Sequence, residues 1–195
     1  MRVLPSGDRA TLLEFADLTE ATRWYLTLRD HADVTLGART VLVRQPCAET
    51  QRLIATNEPQ ELDLSDVPTV EIPTLYDGPD LAAVAASTGL SEADVIAAHT
   101  GTPWRVAFAG FAPGFAYLVD GDPRLVVARL DRPRPHVHAG AVGLAGPFSG
   151  IYPRASPGGW QLIGTTDAPL WDLARDEPAL LRPGTLVTFT RVEPA

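Results

Sequence analysis

The chain has 195 residues, a net charge of −8 and no lysine, since all 16 basic residues are arginine. The missing lysine excludes a Walker A loop, the phosphate lysine of protein kinases and Schiff-base chemistry, and the acidic balance argues against a nucleic-acid backbone as partner. Cys47 is the single cysteine, which excludes an intramolecular disulfide, a cysteine cage for zinc and a CxxC redox pair.

The start, MRVLPSGD, reaches glycine and aspartate before any apolar stretch, and no window approaches the roughly 20 apolar residues of a membrane helix. A soluble, unexported protein of the cytoplasm is expected. Ala10 to Phe15 reads as a strand, Thr19 to Asp30 as a helix through Ala21, Trp24, Tyr25 and Leu28, Thr40 to Val43 as a second strand, and Thr50 to Ala55 as the start of another helix. An acidic, proline-bearing stretch from Asn57 to Pro68 then sets a boundary: a small α+β domain over residues 1–68 and a second domain over 69–195.

Val70 to Leu75 reads as an edge strand interrupted by Pro73. Asp80 to Ser87 and Ser91 to His99 read as short helices meeting at Thr88-Gly89-Leu90, the second opened by a capping box of Ser91 and Asp94. The pair has the outline of a helix-turn-helix, but its second helix carries Glu92 and Asp94 and no cation, so it is read as a helical hairpin packed on a barrel. From Trp104 onward, the apolar runs Val106 to Ala109, Leu125 to Val127, Val142 to Ala145, Gln161 to Ile163 and Leu186 to Thr190 alternate with glycine and proline turns. That pattern predicts an antiparallel barrel or sandwich.

Four segments rich in glycine, proline and aromatics lie between those runs: Gly110 to Leu118 (GFAPGFAYL), Arg132 to Gly140 (RPRPHVHAG), Gly146 to Pro153 (GPFSGIYP) and Ser156 to Thr166 (SPGGWQLIGTT). Glycine permits turns, proline fixes φ and aromatics close over what the turn approaches, so a site built from rigid loops is expected, with Phe111, Phe115, Tyr152 and Trp160 exposed among them. His99, in a last helical turn, is open to either a capping or a chemical role. Arg129 and Arg134, beside RPRP, suit bidentate capture of a carboxylate or phosphate, against the alternative of a solvated turn. His136 and His138 alternate on one face without a third ligand, so no metal site is expected. Ser149 and Ser156 lack a nucleophile-elbow setting, and Cys47 is expected to pack.

These segments resemble the family of bacterial 5-oxoprolinase B-type subunits, also called allophanate hydrolase subunit 1. That family includes a sporulation histidine-kinase inhibitor and recurs within the carboxyltransferase region of urea carboxylases. The likeness runs from about His99 to Thr166 through HT, GFAPGFAYL, the RP and PR of residues 132 to 134, AGAVGLAG, GIYP and SPGGWQLIGTT, with earlier landmarks at Gly7-Asp8-Arg9-Ala10 and Gly78-Pro79-Asp80-Leu81. It implies a ferredoxin-like N-terminal domain and a cyclophilin-like barrel. Within this reading His99 and Arg134 are expected as catalytic residues, with Gly110, Phe111, Pro113, Gly114, Phe115, Arg129, Tyr152, Pro153, Ser156, Pro157, Gly158, Gly159, Trp160 and Gly164 around the substrate.

The implied activity is ATP-dependent opening of 5-oxoproline to glutamate, shared with a larger carboxyltransferase-like subunit and a third subunit. ATP belongs to the assembly, and no biotin is attached to this chain. Two other readings stay open: a regulatory protein inhibiting a sensor histidine kinase, and a carboxyltransferase or allophanate hydrolase subunit acting on a urea-derived substrate. Ala141, His138, Pro147, Phe148 and Thr165 depart from the family pattern, which bears on the substrate.

Overall fold

In the computed structural model, residues 1–56, 58–61 and 67–193 are described. The chain divides into two compact units, Met1–Asp66 and Val67–Ala195. The first holds β1 (Arg2–Ser6), β2 (Ala10–Glu14), α1 (Leu18–Leu28), β3 (Asp33–Leu36), β4 (Thr40–Arg44) and α2 (Ala48–Thr56). Its four strands pair antiparallel in the order β1-β2-β4-β3. A ferredoxin-like unit runs βαββαβ, whereas this one runs ββαββα, so the edge beside β2 is filled by the preceding strand β1.

Helix α1 starts where the Asp17 side chain accepts from Glu20 N (2.9 Å), and the Glu20 carboxylate accepts in return from Ala16 N (3.2 Å). Its Ala21, Trp24 and Leu28 are buried, as are Leu13, Val41 and Val43 on β2 and β4, with Phe15 stacked on Trp24. That face is the core of the first unit.

The second unit opens with β5 (Thr69–Thr74), α3 (Leu81–Thr88) and α4 (Glu92–Gly101), the two helices meeting at 90°. Ser91 and Asp94 form the expected capping box. There follow β6 (Trp104–Ala109), β7 (Ala116–Val119), a 3-10 turn (Pro123–Leu125), β8 (Arg134–Val137), β9 (Ala141–Ala145), β10 (Phe148–Ile151), β11 (Ser156–Gly158), β12 (Gln161–Thr165) and β13 (Leu186–Arg191). Seven strands form one sheet in the order β12-β9-β10-β7-β6-β13-β5. Its edges meet where Leu75, just after β5, exchanges both backbone hydrogen bonds with Thr165 of β12 (2.8 and 2.7 Å), so the sheet is nearly closed into a barrel.

The barrel departs from the antiparallel expectation at one pair, because β5 runs parallel to β13 along its whole length. Ile72, Val106, Leu118, Val142, Leu144, Ile151, Ile163, Val187 and Phe189 fill the interior, joined by Val84 of α3 and Val95 of α4. The expected strand at Leu125 to Val127 is instead the 3-10 turn followed by a single bridge from Val127 to Gly146. Segments read as loops are partly strand: GFAPGFAYL contains the start of β7, and RPRPHVHAG and SPGG contribute β8 and β11, an antiparallel ribbon of two. Among the described residues no single helix is long and apolar enough to cross a membrane.

Candidate functional site

Alternation along the barrel strands gives the sheet a second, outward apolar face. Leu118 on β7 and Ile151 on β10 point into the barrel, whereas Phe115, Tyr117 and Phe148 belong to an outer cluster with Val137, Ala141, Ala145, Tyr152, Trp160 and Leu162. The rings meet edge to face: Phe115 lies 5.4 Å from Trp160 at 88°, 5.6 Å from Tyr152 at 76° and 5.1 Å from Tyr117 at 67°. Such geometry sets the positive edge of one ring against the negative face of the next. Gly150 makes the layer possible, because a Cβ there would stand about 3 Å from the Trp160 ring, the Phe115 ring and the Ala116 carbonyl oxygen.

Between this layer and its surroundings lies a cavity of about 580 Å³, within the range of small-molecule sites. Phe111, Phe115, Tyr117, Phe148, Tyr152 and Trp160 make its walls, Pro133, Pro157, Gly158 and Gly159 shape it, and Arg129 is the one charged lining residue among those described. A Cβ on Gly158 would fall on the Tyr152 hydroxyl, so glycine is required for β11 to lie this close to the ring. Burial raises the Tyr152 phenol above its ordinary pKa, which keeps it neutral. Phe111 holds a left-handed backbone (φ 64°) that a bulky residue rarely adopts. The turn around it is fixed by Ala112 N donating to Gly110 O (2.7 Å) and Phe115 N donating to Ala112 O (2.9 Å).

Of the residues expected at the site, Phe111, Phe115, Arg129, Tyr152, Pro157, Gly158, Gly159 and Trp160 line the cavity together. The expectation of exposed aromatics is corrected for three of them: Phe115, Tyr152 and Trp160 are buried under the ribbon and only Phe111 is exposed. Gly110 and Pro113 belong to the Phe111 turn, and Gly114 packs against Leu170, Trp171 and Pro153. Gly164 sits at the barrel seam against Leu75. The Ser156 hydroxyl oxygen is buried without a hydrogen-bond partner among the described residues.

His99 and Arg134 lie outside the cavity lining. His99 is fully buried in the barrel, with Nδ1 2.7 Å from the Tyr76 hydroxyl and Nε2 2.9 Å from Ser149 Oγ, and its ring packs against Trp104 and Phe189. Desolvation pushes its pKa down to about 3, so the imidazole is neutral and one ring nitrogen donates while the other accepts. Arg134 donates to Asp80 Oδ1 (2.6 Å) and to Trp160 O (3.4 Å), and Asp80 also accepts from Leu162 N (2.7 Å), which ties β8 and β12 to the start of α3.

Tyr117, Pro133, Gly146 and Phe148, which belong to the expected loop segments without being singled out there, also line the cavity, as do Ala128 and Ala145 from outside those segments. The spacing of Phe115 and Tyr117, two apart, and the hairpin pairing of Phe148 with Ala145 were the available signals. Among the departures from the family pattern, Phe148 enters the wall, Ala141 packs beneath it, Thr165 donates to Asp77 Oδ1 (2.9 Å), and His138 and Pro147 are exposed. Cys47, expected to pack, is exposed beside Thr50.

The model of the carboxyltransferase domain, subdomain C and D, matches residues 1–181. The chain belongs to that family. This carboxyltransferase-domain protein is 53% identical over 123 residues to the 5-oxoprolinase B-type subunit of Escherichia coli O157:H7, covering 62% of this chain and 56% of the relative. It is 45% identical over 126 residues to the corresponding 5-oxoprolinase polypeptide of Bacillus subtilis, covering 63% and 52%. It thus spans about half the length of the curated relatives it matches. Among solved structures, that of TTHA0988 superposes with a TM-score of 0.81 at 33% identity, covering 96% of this chain and 40% of that one. The Kluyveromyces lactis urea amidolyase shares the fold, with a TM-score of 0.72 at 20% identity over 97% of this chain and 15% of that one.

Proposed function

We propose that the chain is the B-type subunit of a heteromeric, ATP-dependent 5-oxoprolinase, supplying one wall of the site where the lactam ring of 5-oxoproline opens to glutamate. The observation that carries this reading is the 53% identity over 123 residues with the E. coli 5-oxoprolinase polypeptide. The cavity chemistry agrees. Its aromatic walls keep water from a small ring, and among the described residues its lining includes no histidine, carboxylate, serine or cysteine that could activate water or attack a carbonyl. Hydrolysis therefore needs groups from a partner, and we assign them to a larger carboxyltransferase-like subunit.

ATP does not fit this cavity. One arginine faces the several charges of a triphosphate, and no carboxylate among the described lining residues is present to hold its divalent ion. We place the nucleotide on another subunit.

The test is co-expression of this chain with its larger partner and the third subunit. Co-elution at micromolar concentration is expected, with 5-oxoproline-dependent ATP hydrolysis by the full assembly and none by this chain alone. Separate elution at low and moderate salt, or hydrolysis driven by a urea-derived substrate in place of 5-oxoproline, would reject the reading.

A further inference from the structure

Arg129 lines the cavity, which no other arginine among the described residues does. Arg124 is paired with Asp122 and Arg134 with Asp80, whereas Arg129 has no carboxylate partner among the described residues and lines the cavity. An arginine on a turn ordinarily loses conformational freedom when it takes a ligand. Here the backbone on both sides is already held by the SPGGWQ segment. Leu130 N donates to Gly159 O (2.8 Å), and Gln161 Nε2 donates to Ala128 O (3.3 Å). The guanidinium lies beside Gly159, where a Cβ would meet Nη2 at an ordinary contact distance of 3.7 Å, so the SPGGWQ segment flanks the side chain as well as its backbone.

The charge pattern selects a ligand class. An aromatic bed alone attracts cations, but a guanidinium at its edge repels them, and with no acidic residue in the described lining a single negative charge is the match. A planar fork meets a carboxylate bidentately, and the flat walls accept the face of a ring.

We propose that Arg129 receives the carboxylate of a small cyclic acid whose ring lies on the Phe115, Tyr152 and Trp160 bed. This rests on the 5-oxoprolinase reading only for the choice of first ligand. Arg129 is then an anchoring residue, and Arg134 holds the frame through Asp80.

The test is binding of three probes to the full chain and to its co-purified assembly, by calorimetry and by the indole N–H resonance of Trp160. The probes are 5-oxoproline, its uncharged carboxamide and pyrrole-2-carboxylate. The wild-type protein should favour 5-oxoproline over the carboxamide by about tenfold or more, the scale of one charge-assisted fork. Arg129→Gln, exposed and free of structural partners, should bring that ratio close to one, and Arg129→Lys should retain part of it. An unchanged ratio in Arg129→Gln overturns the proposal, as does the failure of both acids to bind the chain and the assembly. Arg129-dependent binding of pyrrole-2-carboxylate without binding of 5-oxoproline supports the anchor and rejects the substrate reading instead.

Discussion

His99 shows how far one residue's role depends on the rest of the chain. Its place in a last helical turn was legible, yet the hydroxyls that engage it belong to Tyr76 and Ser149, 23 and 50 residues away, and no local pattern announces either. The same holds for Arg134, whose partner Asp80 is 54 positions earlier. Proline-bordered arginines point to anion binding, but only the fold decides whether the anion is a ligand or the protein's own aspartate. The buried imidazole has a testable consequence. Its folded pKa of about 3 lies below the ordinary 6.5, so neutral His99 contributes stability that is fully present above about pH 6.5 and is lost as pH falls toward 3. Between pH 7 and 4.5 the wild-type protein should lose on the order of 2 kcal/mol more than His99→Gln, read by urea unfolding. Parallel pH profiles for the two proteins would remove His99 as the cause.

Among the elements, those with strong local signals were legible and those defined by their neighbours were not. The capping box at Ser91 and Asp94 was read correctly because it needs only four residues. Ser91→Ala should therefore cost about 1 kcal/mol, seen as a lower urea midpoint at unchanged slope, and a negligible change would mean that packing alone sets the start of α4. Strands β1 and β3, in contrast, escaped detection. Both are sheet edges, one carrying Pro5 and the other only four residues long, so their alternation is short and their pairing comes from β2 and β4. The ribbon of β8 and β11 was hidden for a similar reason, since prolines at 135 and 157 make it read as loop. This explains the partial view of the site. The glycine and aromatic motifs marked its rim, whereas Tyr117 and Phe148 enter through strand registers that sequence spacing only hints at.

At the scale of the molecule, the two faces of one barrel sheet serve different ends: the inner packs aliphatic side chains and the helices, and the outer carries the aromatic layer and the cavity. A single sheet can do both because the side-chain period is two, so successive residues such as Leu118 and Tyr117 serve opposite sides. The parallel seam of β5 against β13 governs when this arrangement can form. Thr69 pairs with Leu186 and Thr74 with Arg191, so the barrel's first strand has its only full-length ladder with its last, more than a hundred residues later. Closing so long a loop costs entropy before any contact repays it, and local hairpins form sooner. During synthesis, β6 with β7 and β9 with β10 can pair as they emerge, while β5 must wait unpaired until residues 186–191 exist. Chains arrested before that point should hold native-like protection in the two hairpins and rapid amide exchange in β5, as read by pulse-labelling of stalled nascent chains; early protection of β5 would show that another segment shelters it. The barrel is thus a structure whose opening word is understood only when the last is spoken, and its time of greatest exposure to misassociation is set by the translation of its middle.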